Sequence, residues 1–403
     1  MRRLLLSVFA CNPSMGSEDG NGWNWAVGLA AKGYNVHCLT RSINREGIEA
    51  FPKPENVTFH YIKMPPFSEK IFHGTTNGLY FYYMAWQWLA YKKGKSLHRQ
   101  QKFDMAHHVT WGSLQMGSYL YKLDIPFVFG PAGGGQTAPE AFKSYFKDHW
   151  AAEVKREKVS NIMVKYNPAC KTMLKLAFAV LVSNPDTMAL AKSIGAKNCH
   201  LTLDTALPDD FYPKELKIKS PRAGTLKLLW VGRFMPRKGV PLVLEVMEKL
   251  KDYPGITLTV VGYGEMQEEI ENLIVQYGLQ DTVTLTGKVP FEQVRGFYES
   301  HDVFFFTSLR DSNGVQLIEA MAFGMPVVTL NLHGQAIVVS DKTGIRCSAE
   351  SPAIAVKELT QGVLSLYNNP LLVSAMSKEA AIYAAKQKWP EKIEDTIINY
   401  YPF

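Results

Sequence analysis

Between residues 226 and 330 the chain alternates short apolar runs with helical stretches, and that rhythm leaves few folds open. LKLLWVG (226–232), ITLTVVG (256–262) and VTLTG (283–287) each read as a buried strand closed by a glycine. Helical pattern fills the gaps to Leu250 and Gly278. Apolar strands joined by helices predict a parallel sheet with helices on both faces. The first half repeats the pattern more loosely. Residues 3–10 read as a first strand, 12–25 as a glycine-punctuated loop leading into the helical spacing of Trp25, Leu29 and Ala30, and 35–40 as the next strand. Further strands are expected at 103–109, from 125, at 179–184 and at 199–203. The run 208–224, rich in proline and charge, is the best linker. The expectation is two successive Rossmann-like α/β domains, 1–207 and 208–385, with a terminal helix in 386–403. A chain of 403 residues is long enough for both.

Chemistry concentrates in 307–329, TSLRDSNGVQLIEAMAFGMPVVT. It reads as a strand end, a polar loop, a helix opening at Gly314 and a second buried strand. Asp311 and Glu319 are eight residues apart, a spacing that in a helix spans about 12 Å, too far to serve one small group. They suit the two ends of an elongated ligand. Ser312, Asn313 and Gly314 lie between them, and helix-start amides would face a phosphate there. The loop VGRFMPRKG (231–239) adds Arg233 and Lys238 at the carboxyl end of a strand, where open α/β sheets place ligands. Arginine offers a planar fork to phosphate oxygens and lysine a point charge. Solvated loop cations are the plainer reading; the strand–Gly–Arg–Lys–Gly context favours a site.

Other signals narrow the class. A net charge of +7 favours anionic partners without choosing among them. The five cysteines are scattered, as suits reduced thiols in a cytosol rather than disulfides or zinc. MRRLLLSVFAC mimics a signal peptide, but its apolar run is at the short limit, so a first strand is preferred. Gly16, Gly20 and Gly22 lack the Gly-x-Gly-x-x-Gly spacing of dinucleotide sites. LYFYYMAWQWLAY (79–91), followed by Lys92, Lys93, Lys95, Arg99 and Lys102, is too short to span a bilayer. It reads either as a buried helix with a basic end or as an interfacial helix meeting an anionic membrane. A basic run at 143–175 fits the second idea. FDMAHHV (103–109) ends a strand with His107 and His108, one of which should face the cleft and the other the opposite side. The loop GGGQ (133–136) is expected to be flexible and either orders over a substrate or merely connects.

Taken together, VGRFMPRKG, VVGYGE, TGKVP, the Asp311–Glu319 spacing and EAMAFGMPVV resemble the retaining family-4 glycosyltransferases (glycosyl transferases group 1). The similarity covers most of 224–330 and, more loosely, GSEDG and FDMAHH. It implies the GT-B architecture: two Rossmann-like doubly wound domains facing a cleft, with the C-terminal helix returning to the first. It also implies a nucleoside diphosphate sugar, UDP- or GDP-linked, as donor substrate, with no cofactor and no metal. By position, Arg233 and Lys238 would bind the diphosphate and Glu319 the ribose. Lys288 and Val289 would meet the base, and Asp311 the transferred sugar. Gly16, Gly262, Ser312, Asn313, Gly314, Val315 and Gln316 would complete the donor contacts. His107, Arg233, Lys238 and Asp311 form the expected catalytic set. Gly16, Ser17, Glu18, His108, Gly134 and Gln136 are the expected acceptor contacts. The acceptor class implied is a saccharide or lipid-linked saccharide of cell-surface synthesis, not nucleic acid. The expected setting is cytoplasmic, with peripheral attachment to the inner face of the cytoplasmic membrane as a variant. The chain departs from the pattern in two places: aspartate replaces the first glutamate of Glu-x7-Glu, and adjacent histidines replace His-x-His. Front-face transfer with retention would let the acceptor proton pass to the leaving phosphate. Rival classes are a sugar-nucleotide epimerase, a pyridoxal phosphate phosphorylase and a non-catalytic sugar-nucleotide sensor.

Overall fold

The computed structural model describes residues 1–15, 17–68 and 76–403. The chain divides into two compact units. One contains Met1–Gly135, Glu157–Ala206 and Trp389–Phe403, the other Gln136–Arg156 and Leu207–Lys388. Residues Gln136–Arg156 thus join the second unit although they precede the boundary expected at 207/208.

In the first unit seven parallel strands form one sheet: β1 (Arg3–Ser7), β2 (Asn35–Arg41), β3 (Val57–Ile62), β4 (Met105–His108), β5 (Phe127–Ala132), β6 (Ala179–Val182) and β7 (Cys199–Leu201). Their order is β3-β2-β1-β4-β5-β6-β7. The Ser17–Ala31 helix packs against the terminal Trp389–Tyr400 helix. Trp25 and Trp389 meet edge to face at 5.9 Å. A Cβ at Gly28 would stand 2.9 Å from Ile393 Cγ1, so only a glycine permits this approach.

The second unit holds β8 (Leu226–Val231), β9 (Ile256–Val261), β10 (Val283–Gly287), β11 (Val303–Phe306), β12 (Val327–Leu330) and β13 (Gly344–Cys347). Their order is β10-β9-β8-β11-β12-β13, again all parallel. In both sheets the winding reverses once, between β1 and β4 and between β8 and β11. Residues Gln136–Arg156 contribute Ala138, Phe142, Tyr145 and Phe146 to the core containing Leu228, Trp230 and Val243. The Tyr145 hydroxyl donates to Glu245 at 2.7 Å and Lys147 pairs with Glu269 at 2.9 Å. Those contacts explain why this segment clusters with the second unit.

Three expectations need refinement. The aromatic stretch lies in a longer helix, Thr76–Gln101, which has two characters. Tyr82, Tyr83, Trp86 and Ala90 are buried, while Phe81 and Trp88 are exposed. Among the described residues no helix is long and apolar enough to cross a membrane. The basic run 143–175 is not one amphipathic element. A left-handed Lys147 and the Asn167 N-cap divide it into a 3-10 stretch and the Trp150–Tyr166 and Pro168–Leu176 helices. The 208–224 linker is firmly tied: Phe211 is buried, and Lys219 Nζ donates to the Tyr298 and Glu299 carbonyls at 2.7 Å each.

Candidate functional site

The reversal between β8 and β11 sends their following helices in opposite directions and opens a crevice at the carboxyl ends of these strands. Two loops line it. After β8 the chain makes a tight turn, Pro236–Lys238, closed by Gly239 at φ +66°. A Cβ on Gly239 would lie 2.4 Å from the Thr307 carbonyl, so the two loops touch only because this residue is glycine. Thr307 Oγ1 donates to the Gly239 carbonyl at 2.9 Å, and the Leu309 amide donates to the Arg237 carbonyl at 2.8 Å. Ser308 Oγ lies 3.1 Å from the Arg237 carbonyl and 3.2 Å from Asp311 Oδ2. Gly314, at φ +76°, then turns the chain into the Val315–Ala322 helix with no side-chain cap. The first-turn amides of Val315 and Gln316 are left directed outward from the helix start.

Charge gathers on this frame. Lys238, only 7% exposed, donates from Nζ to Asp311 Oδ2. Arg237 lies 3.5 Å from Asp311 Oδ1 and donates to the Arg310 carbonyl at 3.1 Å. Burial opposes ionisation of Asp311, but Lys238 and Arg237 outweigh it and hold its carboxyl below the usual range. On the other side of the loop, Arg310 grips Glu153, with Nε 2.5 Å from Oε1 and a second contact of 3.2 Å to Oε2. Arg156 joins the same carboxylate at 3.1 Å. Burial and the neighbouring Arg156 push the Arg310 guanidinium down to about 10, against the pull of Glu153. Four cations therefore face two carboxylates, a surplus of two positive charges before the exposed Arg233 is added. That surplus suits a ligand with two phosphate charges.

Glu319 lies on the Val315–Ala322 helix and is buried, its Oε2 accepting from the Tyr298 hydroxyl at 2.8 Å. Burial pushes its carboxyl up to about 7, a direction the Tyr298 hydrogen bond resists. Ser312, Val315 and Gln316 are half-buried, Asn313 and Gly314 buried. Gly262 follows β9, where a Cβ would meet the Gly232 carbonyl at 1.8 Å. Lys288 is exposed, its Nζ 5.2 Å from the Tyr263 ring, and Val289 is half-buried. All the donor-side residues expected from the sequence except Gly16 belong to the second unit. Gly16 lies outside the described residues. Sequence reasoning missed Glu153, Arg156, Arg237, Tyr298 and Arg310. Arg237 and Arg310 were legible as neighbours of Lys238 and Asp311; Glu153 and Tyr298 gave no signal.

The corresponding reversal in the first unit, between β1 and β4, carries the two histidines expected from the sequence. His107 and His108 do point to opposite sides, but both are fully buried and both ring nitrogens of each are engaged. His107 meets the Tyr401 hydroxyl at 2.9 Å and the Gly130 carbonyl at 2.7 Å. His108 meets the Tyr83 hydroxyl and Ser7 Oγ, each at 3.0 Å. Burial pushes both rings down to about 3, so they are neutral at ordinary pH. Neither offers a nitrogen to a ligand. Glu18 reaches solvent and accepts from the Trp111 amide at 3.2 Å. Partial desolvation raises its carboxyl to about 7 against the opposing Trp111 hydrogen bond, with Asp204 and Asp19 adding to the rise. Ser17 opens the Ser17–Ala31 helix. The 133–136 loop is tied down rather than free. Gly133 donates to the Gly112 carbonyl at 2.9 Å, Gly134 accepts from Gln115 at 2.6 Å and Gly135 donates to Thr187 Oγ1 at 3.1 Å. Gly134 belongs to the first unit and Gln136 to the second.

Away from these strand ends, an open groove lies between the Val240–Lys249 and Pro352–Tyr367 helices, lined by Glu245, Lys249, Val356 and Lys357. It contains none of the residues expected from the sequence to bind donor or acceptor. Among the described residues no three His, Cys, Asp or Glu side chains gather as a metal site.

Two parallel doubly wound sheets with a terminal helix in the first unit define a GT-B protein. Sucrose-phosphate synthase from Thermosynechococcus elongatus shares the fold with a TM-score of 0.70 at 17% identity, over 99% of this chain and 98% of that one. The Anabaena protein HepE, solved in complex with UDP and glucose, superposes with a TM-score of 0.63 at 14% identity, over 99% of this chain and 98% of that one. Residues 213–387 match the pattern of the glycosyl transferases group 1 family. The amylovoran biosynthesis glycosyltransferase AmsK of Erwinia amylovora is 27% identical over 200 residues, 47% of this chain and 48% of that relative. The match spans about half the length of the curated relatives.

Proposed function

We propose that this protein is a retaining glycosyltransferase that moves a sugar from a nucleoside diphosphate donor to an acceptor hydroxyl. The observation that carries the reading is the crevice between β8 and β11. There Lys238 and Arg237 hold Asp311 just ahead of an uncapped helix start, exposed Arg233 lies on the loop that carries Lys238, and buried Glu319 lies on the helix itself. UDP is the favoured nucleotide, because a protein of the same fold holds UDP and glucose.

The difficult event is heterolysis of the glycosyl–phosphate bond. Lys238, Arg233 and the Val315 and Gln316 amides would stabilise charge growing on the leaving diphosphate. Each cation within ~4 Å of a phosphate charge contributes roughly 4 kcal/mol at a near-surface effective dielectric, before desolvation is subtracted. Glu319 would accept from the ribose hydroxyls. Asp311, one methylene shorter than glutamate, is engaged with Lys238, Arg237 and Ser308. Its role is then to hold those cations, and a donor phosphate would take over part of its hold on Lys238. The acceptor proton passes to the leaving phosphate oxygen, so the buried histidines are not needed as bases.

For the acceptor, a saccharide or lipid-linked saccharide of surface polysaccharide synthesis is the favoured class, in line with AmsK. The exposed Phe81 and Trp88 favour work at an anionic membrane surface. Lys92 and Lys122 lie 5.5 and 5.7 Å from the Trp88 ring, the mixture of aromatic and basic groups that suits an interface.

The test is product analysis with UDP-glucose and other UDP-sugars, with and without membrane extract as a source of acceptor. Acceptor-dependent release of UDP, with retained anomeric configuration in the product, is expected. Conversion of the donor to another sugar nucleotide without acceptor would make the protein an epimerase instead.

A further inference from the structure

The segment Gln136–Arg156 sits apart in sequence from the rest of the second unit, yet it supplies one charged contact to the loop carrying Asp311. Arg310 Nη2 donates to Glu153 Oε2 at 3.2 Å, and its Nε lies 2.5 Å from Oε1 as a close charge contact. The Arg310 carbonyl in turn accepts from Arg237, whose guanidinium also lies 3.5 Å from Asp311 Oδ1. The backbone joining Arg310 to Asp311 is therefore held from two sides, through its side chain by Glu153 and through its carbonyl by Arg237.

Glu153 can act as a fixed point because its own segment is anchored. Phe142 and Phe146 are buried in the core of the second unit, and Trp150 packs on Phe146 at 5.3 Å. The Tyr145–Glu245 and Lys147–Glu269 contacts pin the same stretch to two further helices. Glu153 also takes Arg156, so its carboxylate is shared between two guanidinium groups and has little freedom to turn away. The Nη2–Oε2 hydrogen bond sets a direction, and the close Nε–Oε1 charge contact holds Arg310 against Glu153.

We propose that Glu153 is a positioning residue of the donor site. By holding Arg310 it sets the direction of the 310–311 peptide, and so keeps the Asp311 carboxylate on Lys238 and Arg237. This rests on the donor reading given above, but its first test does not need a donor. The loop after β11 is held at its start by hydroxyl contacts from Thr307 and Ser308 and by Gln335 on the Ser308 carbonyl, and at its middle by Arg237 and the Glu153–Arg310 pair. The contacts at the start fix where the loop begins. Those at the middle fix where its carboxylate points.

The experiment uses the full chain as wild type, Glu153→Gln, Glu153→Asp and Arg310→Lys. Amide hydrogen exchange is followed in peptides covering 303–314, and UDP binding is measured by calorimetry. Glu153→Gln and Arg310→Lys are expected to speed exchange within 307–314 by about tenfold while the Val240–Lys249 helix keeps its protection. Both should weaken UDP by about tenfold, and Glu153→Asp should recover most of that loss by restoring the charge. Unchanged exchange in 307–314 would overturn the proposal, as would faster exchange spread evenly over the unit, which marks a merely stabilising pair. Tighter UDP binding by Glu153→Gln would also overturn it, making Arg310 a phosphate ligand that Glu153 restrains. If the wild type binds no UDP, the donor reading is what fails, while loop exchange still decides the role of Glu153.

Discussion

Replacing Lys238 with methionine keeps the length of the side chain and removes its charge. The side chains of Lys238 and Asp311 are 9% and 18% exposed, so the change strands a carboxylate in a largely dry place. Breaking a buried pair from one side costs about 3–5 kcal/mol, and the lower end applies here because Arg237 at 3.5 Å and Ser308 at 3.2 Å remain. A loss of about 3 kcal/mol in a unit of this size lowers its Tm by about 6–12 °C. The pH dependence follows from Asp311. Its folded pKa lies below the ordinary 3.8, so its stabilising contribution is present above that value and fades as pH falls through the folded one. The gap between wild type and Lys238→Met should therefore be full from pH 7 to 5 and shrink below 3.8. Adding Asp311→Asn should restore part of the loss, since it removes the stranded charge. Denaturant unfolding across this pH range is the assay. A gap under about 0.5 kcal/mol at pH 7, or one that stays constant down to pH 3, would refute the reasoning.

Two further outcomes are expected. Glu319 gains a proton more readily in the folded chain, its carboxyl moving from 4.5 to about 7, so stability should fall as pH rises through that interval. The displacement corresponds to about 3 kcal/mol, and Glu319→Gln should flatten the slope in unfolding measurements between pH 4.5 and 7. His107 and His108 behave in the opposite sense. With both pushed to about 3 from 6.5, the unfolded chain takes up protons first, so their contribution is full above 6.5 and is lost on acidification. His107→Phe should reduce that acid sensitivity and leave turnover per folded molecule within about threefold of wild type. Loss of turnover in a well-folded His107→Phe protein would return this histidine to the chemistry.

Much of the fold was legible because buried parallel strands announce themselves as apolar runs closed by glycine. The βα rhythm at 226–330 and the loops around Lys238 and Asp311 appear where the sequence put them. What escaped was long-range. Nothing local in WAAEVKREKV shows that Glu153 serves a loop 157 residues away, because such pairing depends on where the Gln136–Arg156 segment docks. The surroundings of the histidines escaped for a related reason. A strand end at a sheet reversal is the right place for a ligand, but Tyr401 from the C-terminal end and Tyr83 from the aromatic helix occupy the ring nitrogens. A one-dimensional reading gives the strand and the alternation of its faces, not the partners that arrive from elsewhere.

The central claim is that the crevice between β8 and β11 binds a nucleoside diphosphate through Lys238 and Glu319. Calorimetric titration of UDP and GDP onto wild type, Lys238→Met and Glu319→Gln tests it most directly. The wild type should bind one of the two nucleotides, and each variant should weaken that binding by about tenfold or more. Wild type that takes up neither nucleotide, or variants that bind as tightly as wild type, would contradict the account.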